Sequence, residues 1–196
     1  KLRLALGGVP GGGKTFTALE TARALFPDGK VALIDTEHGS AEKYADQFDF
    51  DVLPLENDYS PERYIEMIHA AEDNGYDVLV IDSLSHEWEG QGGILSMVDQ
   101  FTGGNNADNR GAWREMTPRH NALVDAMLRS PAHIIATMRA KQEYVLETND
   151  KGKQQPKKVG MAPVQREGME YEFTVMLDVD MNHIASASKD RTSLFD

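Results

Sequence analysis

The chain has 196 residues, 40% of them hydrophobic, enough to bury one sizeable core. Its longest apolar runs, such as Val78-Leu79-Val80-Ile81, fall far short of the roughly 20 residues a membrane span needs, which excludes an integral membrane protein. Cysteine is absent, so disulfides, thiol nucleophiles and cysteine-based zinc sites are excluded, and a reducing, cytoplasmic setting fits. No secretory signal is visible, and a first residue of Lys1 rather than methionine leaves the native start open. Acids outnumber bases 32 to 20, a formal charge of −12, and a uniformly acidic surface would repel nucleic acid. The charge is uneven, however. Lys151 to Arg166 holds five bases and no acid, so the remainder, −12 less these five, stands at −17.

In chain order, Leu2 to Leu6 is a short apolar run ending in glycines, a buried-strand candidate. Lys14 to Phe26 sets Phe16, Leu19, Ala22 and Phe26 at helical spacing and stops at Pro27-Asp28-Gly29. Val31 to Asp35 reads as a second strand, Ala41 to Gln47 as a short helix and Val52-Leu53 as a strand. Ser60-Pro61 starts a helix; Tyr64, Ile65, Ile68 and Ala71 share its face until Asn74-Gly75. Asp77 to Asp82 is the strongest strand, apolar on both faces as in a parallel sheet. Thr117-Pro118 repeats the cap-plus-proline signal for a helix running to Ser130-Pro131, and His133 to Met138 is another buried strand.

This alternation predicts an α/β fold over residues 1–196, with a mostly parallel central sheet flanked by helices. Tyr144 to Glu147, Tyr171 to Val179 and His183 to Ala187 read as strands with little helix between them, predicting an antiparallel C-terminal extension. Asp99 to Arg110 and Thr148 to Pro163 have loop composition.

Gly8-Val9-Pro10-Gly11-Gly12-Gly13-Lys14-Thr15 matches G-x-x-x-x-G-K-(S/T), the Walker A pattern, with a strand before it and a helix after. The glycines let the backbone wrap so that amide N–H groups face phosphate oxygens, and the helix N-terminus adds its dipole. Lys14 reaches the β- and γ-phosphates of ATP, the Thr15 hydroxyl ligates Mg²⁺, and Phe16 follows on the nucleotide side. Asp82 ends the apolar strand, where a carboxylate beside the phosphate loop holds Mg²⁺.

Leu33-Ile34-Asp35-Thr36-Glu37-His38 follows, and here the chain resembles the RecA family. That resemblance implies a RecA-like P-loop NTPase fold and makes Glu37 the group that orients the attacking water. Asp82-Ser83-Leu84-Ser85-His86 matches where RecA-like proteins leave the sheet, and Thr137-Met138-Arg139 where the family places a phosphate-sensing polar residue. Lys189-Asp190-Arg191 looks like the K-x-R pair that RadA- and KaiC-type members insert into a neighbour's nucleotide site. Ile34 to Ala41, Asp82 to Trp88 and Thr137 to Lys141 resemble phage-encoded, shortened RecA-like ATPases linked to single-strand annealing. The likeness implies a homo-oligomer, ring or filament, working on single-stranded DNA in a bacterial host's cytoplasm alongside a single-strand DNA-binding protein. It also departs from full-length recombinases, since the first strand begins at Leu2 with no polymerisation segment before it.

The basic run Lys151, Lys153, Lys157, Lys158 and Arg166 follows the strand from which RecA-like proteins project a DNA-binding loop. Clustered bases contact phosphates; the alternative is a solvated loop. Aromatic residues occur only at its flanks, Tyr144 and Tyr171, which favours backbone over base recognition. His38, His69, His120, His133 and His183 show no metal-ligand spacing and read as structural or surface residues, and His86 and Trp88 as packing of a first turn. Two rival functions stay open. One is a small-molecule phosphotransferase, which would need an acceptor pocket. The other is a nucleotide-gated DNA-binding or scaffold protein with little hydrolysis.

Overall fold

A computed structural model of the chain describes residues 1–104, 109–148 and 154–195, with 142–147 and 155–160 as backbone. Its strands are β1 (Arg3–Gly8), β2 (Val31–Asp35), β3 (Asp51–Pro54), β4 (Val78–Asp82), β5 (His133–Thr148), β6 (Gln154–Pro163), β7 (Val175–Val179) and β8 (Ala185–Asp190). The order across the sheet is β3-β2-β4-β5-β1-β7-β8, with β6 paired to β5 off that path. β1, β2, β3, β4, β5 and β7 run parallel, whereas β6 and β8 pair antiparallel with β5 and β7. This is the mostly parallel sheet with antiparallel additions that the alternation predicts.

Every residue of β1, β2 and β4 is buried, because helices cover both faces. On one face α2 (Pro61–Asp73) and α5 (Arg110–Arg129) pack Tyr64, Ile68, Leu123 and Met127 against Ile34, Leu79, Ile81 and Ile134. On the other, α1 (Lys14–Leu25) packs Ala18, Leu19 and Ala22 against Leu4, Leu6, Leu33 and Val80. Two short helices, α3 (Ser85–Glu89) and α4 (Ile94–Thr102), form a satellite cluster with α5 through Ile94, Val98, Ala112 and Met116. The one charge inside the apolar β1 run, Arg3, is buried, and its guanidinium caps carbonyls at the C-terminal end of α5, including Leu128 and Ser130 at 3.1 and 2.5 Å. Among the described residues no helix is long and apolar enough to cross a membrane.

Several expectations need correction. The helix placed at Thr117-Pro118 begins at Arg110, with Pro118 inside it. Its buried stripe, Ala112, Met116, His120, Leu123 and Met127, outweighs the single backbone hydrogen bond that proline forfeits. The segment Thr148 to Pro163 is not a loop throughout. β5 continues past the sheet to Thr148, and Gln154–Pro163 pairs back along it from Ala140↔Pro163 to Thr148↔Gln154, making a two-stranded arm. Asp99 to Thr102 belongs to α4, which ends at Gly103 in the left-handed conformation. Ala41 to Gln47 shortens to a 3-10 turn over Ser40–Tyr44. A second 3-10 turn, Met169–Glu172, precedes β7, and β7 itself joins β1 in parallel.

Candidate functional site

The carboxyl ends of β1, β2, β4 and β5 lie along one edge of the sheet, and the motif residues gather there. Gly8 to Thr15 links β1 to α1 as a tight loop: Gly11 and Gly13 take φ of +77° and +93°, which only glycine adopts without strain. Gly8 is required for another reason, since a Cβ there would lie 2.4 Å from the Val179 carbonyl oxygen on β7. Lys14 folds back, its Nζ donating to the Val9 carbonyl at 2.9 Å. Burial holds its ammonium below the usual lysine value, with the charges of Asp82 and Glu37 opposing.

Asp82 is buried at the end of β4. Thr15 Oγ1 donates to its Oδ2 at 2.6 Å and Thr137 Oγ1, from β5, donates to its Oδ1 at 2.5 Å. Burial pushes the Asp82 carboxyl up, against those two hydroxyl hydrogen bonds. On β2, Asp35 stands in register with Asp82; its Oδ1 accepts from the Glu37 N–H at 2.7 Å, while its buried Oδ2 has no protein partner. Glu37 follows two residues on. Ser83 Oγ donates to its Oε1 at 3.1 Å, and Arg139 donates from Nε to Oε1 at 3.0 Å and from Nη2 to Oε2 at 2.6 Å. Burial alone would raise the Glu37 carboxyl, but the Arg139 hydrogen bonds and charge bring it below the usual range. His86 lies behind, its Nδ1 2.7 Å from Thr36 Oγ1 and its ring stacked on Tyr59.

A cleft of about 570 Å³ opens beside the loop, lined by Gly11, Gly13, Lys14, Thr15, Phe16, Thr17, Tyr44 and His183. The residues matched to the phosphate loop, together with Asp82 and Glu37, therefore converge. Lys189 and Arg191 do not. Lys189 is level with Met176 and Ala5, toward the opposite end of the strands, and its Nζ donates to the carbonyls of Glu170, Tyr171 and Phe173. Arg191 is exposed; its Nη2 donates to the Tyr171 carbonyl and its backbone N–H to the Thr174 carbonyl. Lys157 and Lys158 lie on the arm strand β6, Arg166 beyond its root bonds Asn121 at 3.3 Å, and Lys151 and Lys153 fall outside the described residues.

The sequence profile of the family described as AAA domain matches residues 1–195. The chain belongs to the AAA domain family. No curated protein matches it. The crystal structure of the RadB recombinase aligns with TM-score 0.51 and 14% identity over 97% of this chain and 82% of that one, a likeness that shows a RecA-like fold. A KaiC-like protein from the hyperthermophilic archaeon Pyrococcus horikoshii aligns at TM-score 0.49 and 16% identity, over 98% and 81%.

Two further residues of this AAA domain member stand at the site, His183, expected to be structural or at the surface, and Arg139. His183 sits in the β7–β8 turn, with Nδ1 2.9 Å from the Gly12 carbonyl and its ring 3.2 Å from where a Gly13 Cβ would be. Arg139 closes the run Thr137-Met138-Arg139, where the resemblance places a phosphate-sensing polar residue; its pairing with Glu37, which spans 102 residues, was not expected. No local pattern announces either contact, because the sheet topology makes them.

The donor set also fits magnesium. Among the described residues no group of three or more His, Cys, Asp or Glu forms a metal cage. The oxygens on offer are one hydroxyl and one buried carboxylate, Thr15 and Asp82, with the orphaned Asp35 Oδ2 on the neighbouring strand. Mg²⁺ characteristically takes one or two protein oxygens and completes its shell with water and phosphate.

Proposed function

We propose that the chain hydrolyses ATP with Mg²⁺ and acts on single-stranded DNA in recombination or annealing, as one RecA-like domain whose active site is completed between subunits. The observation that carries this reading is the Thr15–Asp82 hydrogen bond beside the phosphate loop, with Glu37 at the adjoining strand end. A phosphotransferase site would instead need a second, acceptor pocket against Glu37.

The loop amides and Lys14 bind the phosphate tail, and release of Lys14 from the Val9 carbonyl frees its ammonium for the β- and γ-oxygens. Thr15 and Asp82 would hold Mg²⁺, which would supply neutralisation of the phosphate charge. Glu37 orients a water on the far side of the γ-phosphorus. A bond forms from that water to phosphorus, the bond to the bridging β–γ oxygen breaks, and the water's proton passes toward Glu37, giving ADP and phosphate. Arg191, exposed and far from its own chain's loop, supplies a cation in trans, with Lys189 fixing the turn that carries it. The arm bearing Lys157 and Lys158, with Lys151, Lys153 and Arg166, contacts the DNA backbone. Ring or filament assembly, a single-strand DNA-binding protein as partner and a phage-infected bacterial cytoplasm complete the reading.

The test is ATP turnover with and without single-stranded DNA across protein concentration. Specific activity that rises with concentration and with DNA supports the proposal. ATP binding without turnover, in every condition, would instead favour a nucleotide-gated DNA-binding protein, a reading that the occupied state of Glu37 already favours.

A further inference from the structure

The β7–β8 turn touches the phosphate loop through His183, a side chain that takes no part in holding phosphate or magnesium. Asp180 fixes the turn. Its Oδ1 accepts from the Asn182 and Ile184 N–H groups at 2.8 and 3.0 Å, and its carbonyl accepts from the His183 N–H at 3.1 Å. His183 itself takes φ of +62°, a left-handed conformation that is costly for a residue with a side chain. Its ring lies against the loop, with Nδ1 2.9 Å from the Gly12 carbonyl. There is room for it because Gly13 has no Cβ, which would stand 3.2 Å from that nitrogen.

That contact decides the tautomer. A carbonyl oxygen only accepts, so Nδ1 carries the proton and donates it. In the neutral ring Nε2 is then a bare acceptor, and among the described residues no protein group bonds it. His183 also lines the cleft of about 570 Å³ beside the loop. The loop amides take the phosphates, so the rest of a nucleotide fills this cleft. His183 stands at the loop end of it, against Gly12 and Gly13. Phe16 and Tyr44 supply its aromatic lining, their rings edge to face at 6.1 Å. The group that follows the phosphates is the sugar, and a sugar offers hydroxyls. A hydroxyl can donate to a bare imidazole nitrogen, whereas an ionised phosphate oxygen has no proton to give.

We propose that His183 is a specificity-determining residue that reads the sugar: its Nε2 accepts a hydrogen bond from a ribose hydroxyl of the bound nucleotide while its Nδ1 stays on the loop. The inference rests on nucleotide binding at the phosphate loop.

The experiment measures binding of ADP, 2′-deoxy-ADP, 3′-deoxy-ADP and inosine diphosphate by calorimetry with Mg²⁺, for wild type, His183→Asn and His183→Phe. A pH of about 8 is used, where an imidazole is ordinarily neutral. Diphosphates keep turnover out of the measurement. At least one deoxy analogue should bind wild type roughly 2- to 12-fold more weakly than ADP, the worth of one net hydrogen bond. His183→Asn tolerates the positive φ and keeps an amide donor for the Gly12 carbonyl, but has nothing in the place of Nε2. ADP should there fall to the affinity of that analogue, which itself should bind within about twofold of its wild-type value. His183→Phe loses both nitrogens; it should weaken every nucleotide alike, through the unsupported loop, and show no preference for ADP over the analogue. Equal wild-type affinity for ADP and both deoxy analogues would overturn the proposal, as would a preference that survives in His183→Asn. A preference for ADP over inosine diphosphate alone, lost in His183→Asn, would put the contact on the base and overturn it too. Failure of wild type to bind ADP at all would instead refute the nucleotide site itself, so the two failures are distinguishable.

Discussion

The buried trio that anchors the arm gives the sharpest stability test. Glu87 is fully buried on α3; its Oε1 lies 2.9 Å from His120 Nδ1 on α5, and its Oε2 accepts from Gln165 at 3.0 Å. His120→Leu fills similar space but leaves Oε1 with no partner away from water. Stranding one atom of a buried acid costs about 3 kcal/mol, the range where a lost charged hydrogen bond and a broken buried pair overlap. For a chain of this length that corresponds to a fall of about 6–12 °C in the unfolding midpoint. Glu87→Leu with His120→Leu removes the acid as well, and should recover most of the loss, because two apolar groups replace two polar ones. Urea unfolding followed by far-UV circular dichroism on the nucleotide-free protein at pH 7, with a common slope for all variants, reads the difference. A single substitution costing under about 1 kcal/mol, or a double variant no better than the single, would refute the reasoning.

Glu37→Gln should lower ATP turnover by roughly 100-fold or more with ATP affinity nearly intact, measured by calorimetry beside a steady-state assay; wild-type turnover would move the base elsewhere. Asp82→Asn should raise the urea midpoint of the nucleotide-free protein at pH 7. The folded carboxyl is raised by burial, so its ionised form opposes folding, a penalty that grows as pH climbs above the unfolded carboxylate value and disappears in acid. The stabilisation should therefore shrink as pH is lowered, and a lower midpoint at pH 7 would count against it. Lys157→Ala with Lys158→Ala should flatten the slope of log affinity for single-stranded DNA against log salt by about 1.4, at about 0.7 per phosphate contact. An unaltered slope would return the arm to a solvated projection.

What could be read in the sequence follows the range of the forces involved. The phosphate loop and Asp82 were legible because each lies at a strand end, and strand ends are marked locally by apolar runs; Glu37 was singled out only through the family resemblance. The arm was not legible. Gly152, Pro156 and Gly160 break the local strand signal, and the mostly polar residues between them show no apolar alternation in the sequence. Gln154–Pro163 is held as a strand by its ladder to β5, a partner that supplies the hydrogen bonds its own sequence does not advertise. Pro118 misled for the opposite reason: a strong local start signal sits inside a helix whose longer apolar stripe, running through His120, decides its length. Arg139 and His183 were out of reach altogether, since each acts on a residue more than a hundred positions away.

β1 carries the phosphate loop, yet its two neighbours in the sheet are β5, beginning at His133, and β7, beginning at Val175. During synthesis this first strand emerges without either partner and must wait through nearly the whole chain before its edges are paired. Pairings so distant in sequence are slow to close, and an unpaired apolar strand is a ready template for other chains. The loop's bracing comes later still, because the Val179 carbonyl packs on Gly8 and His183 holds Gly12 only after the β7–β8 turn exists. The phosphate loop is thus translated well before the elements that give it its shape. A ribosome-bound chain stopped before residue 175 carries the whole phosphate-loop sequence without the walls that shape it.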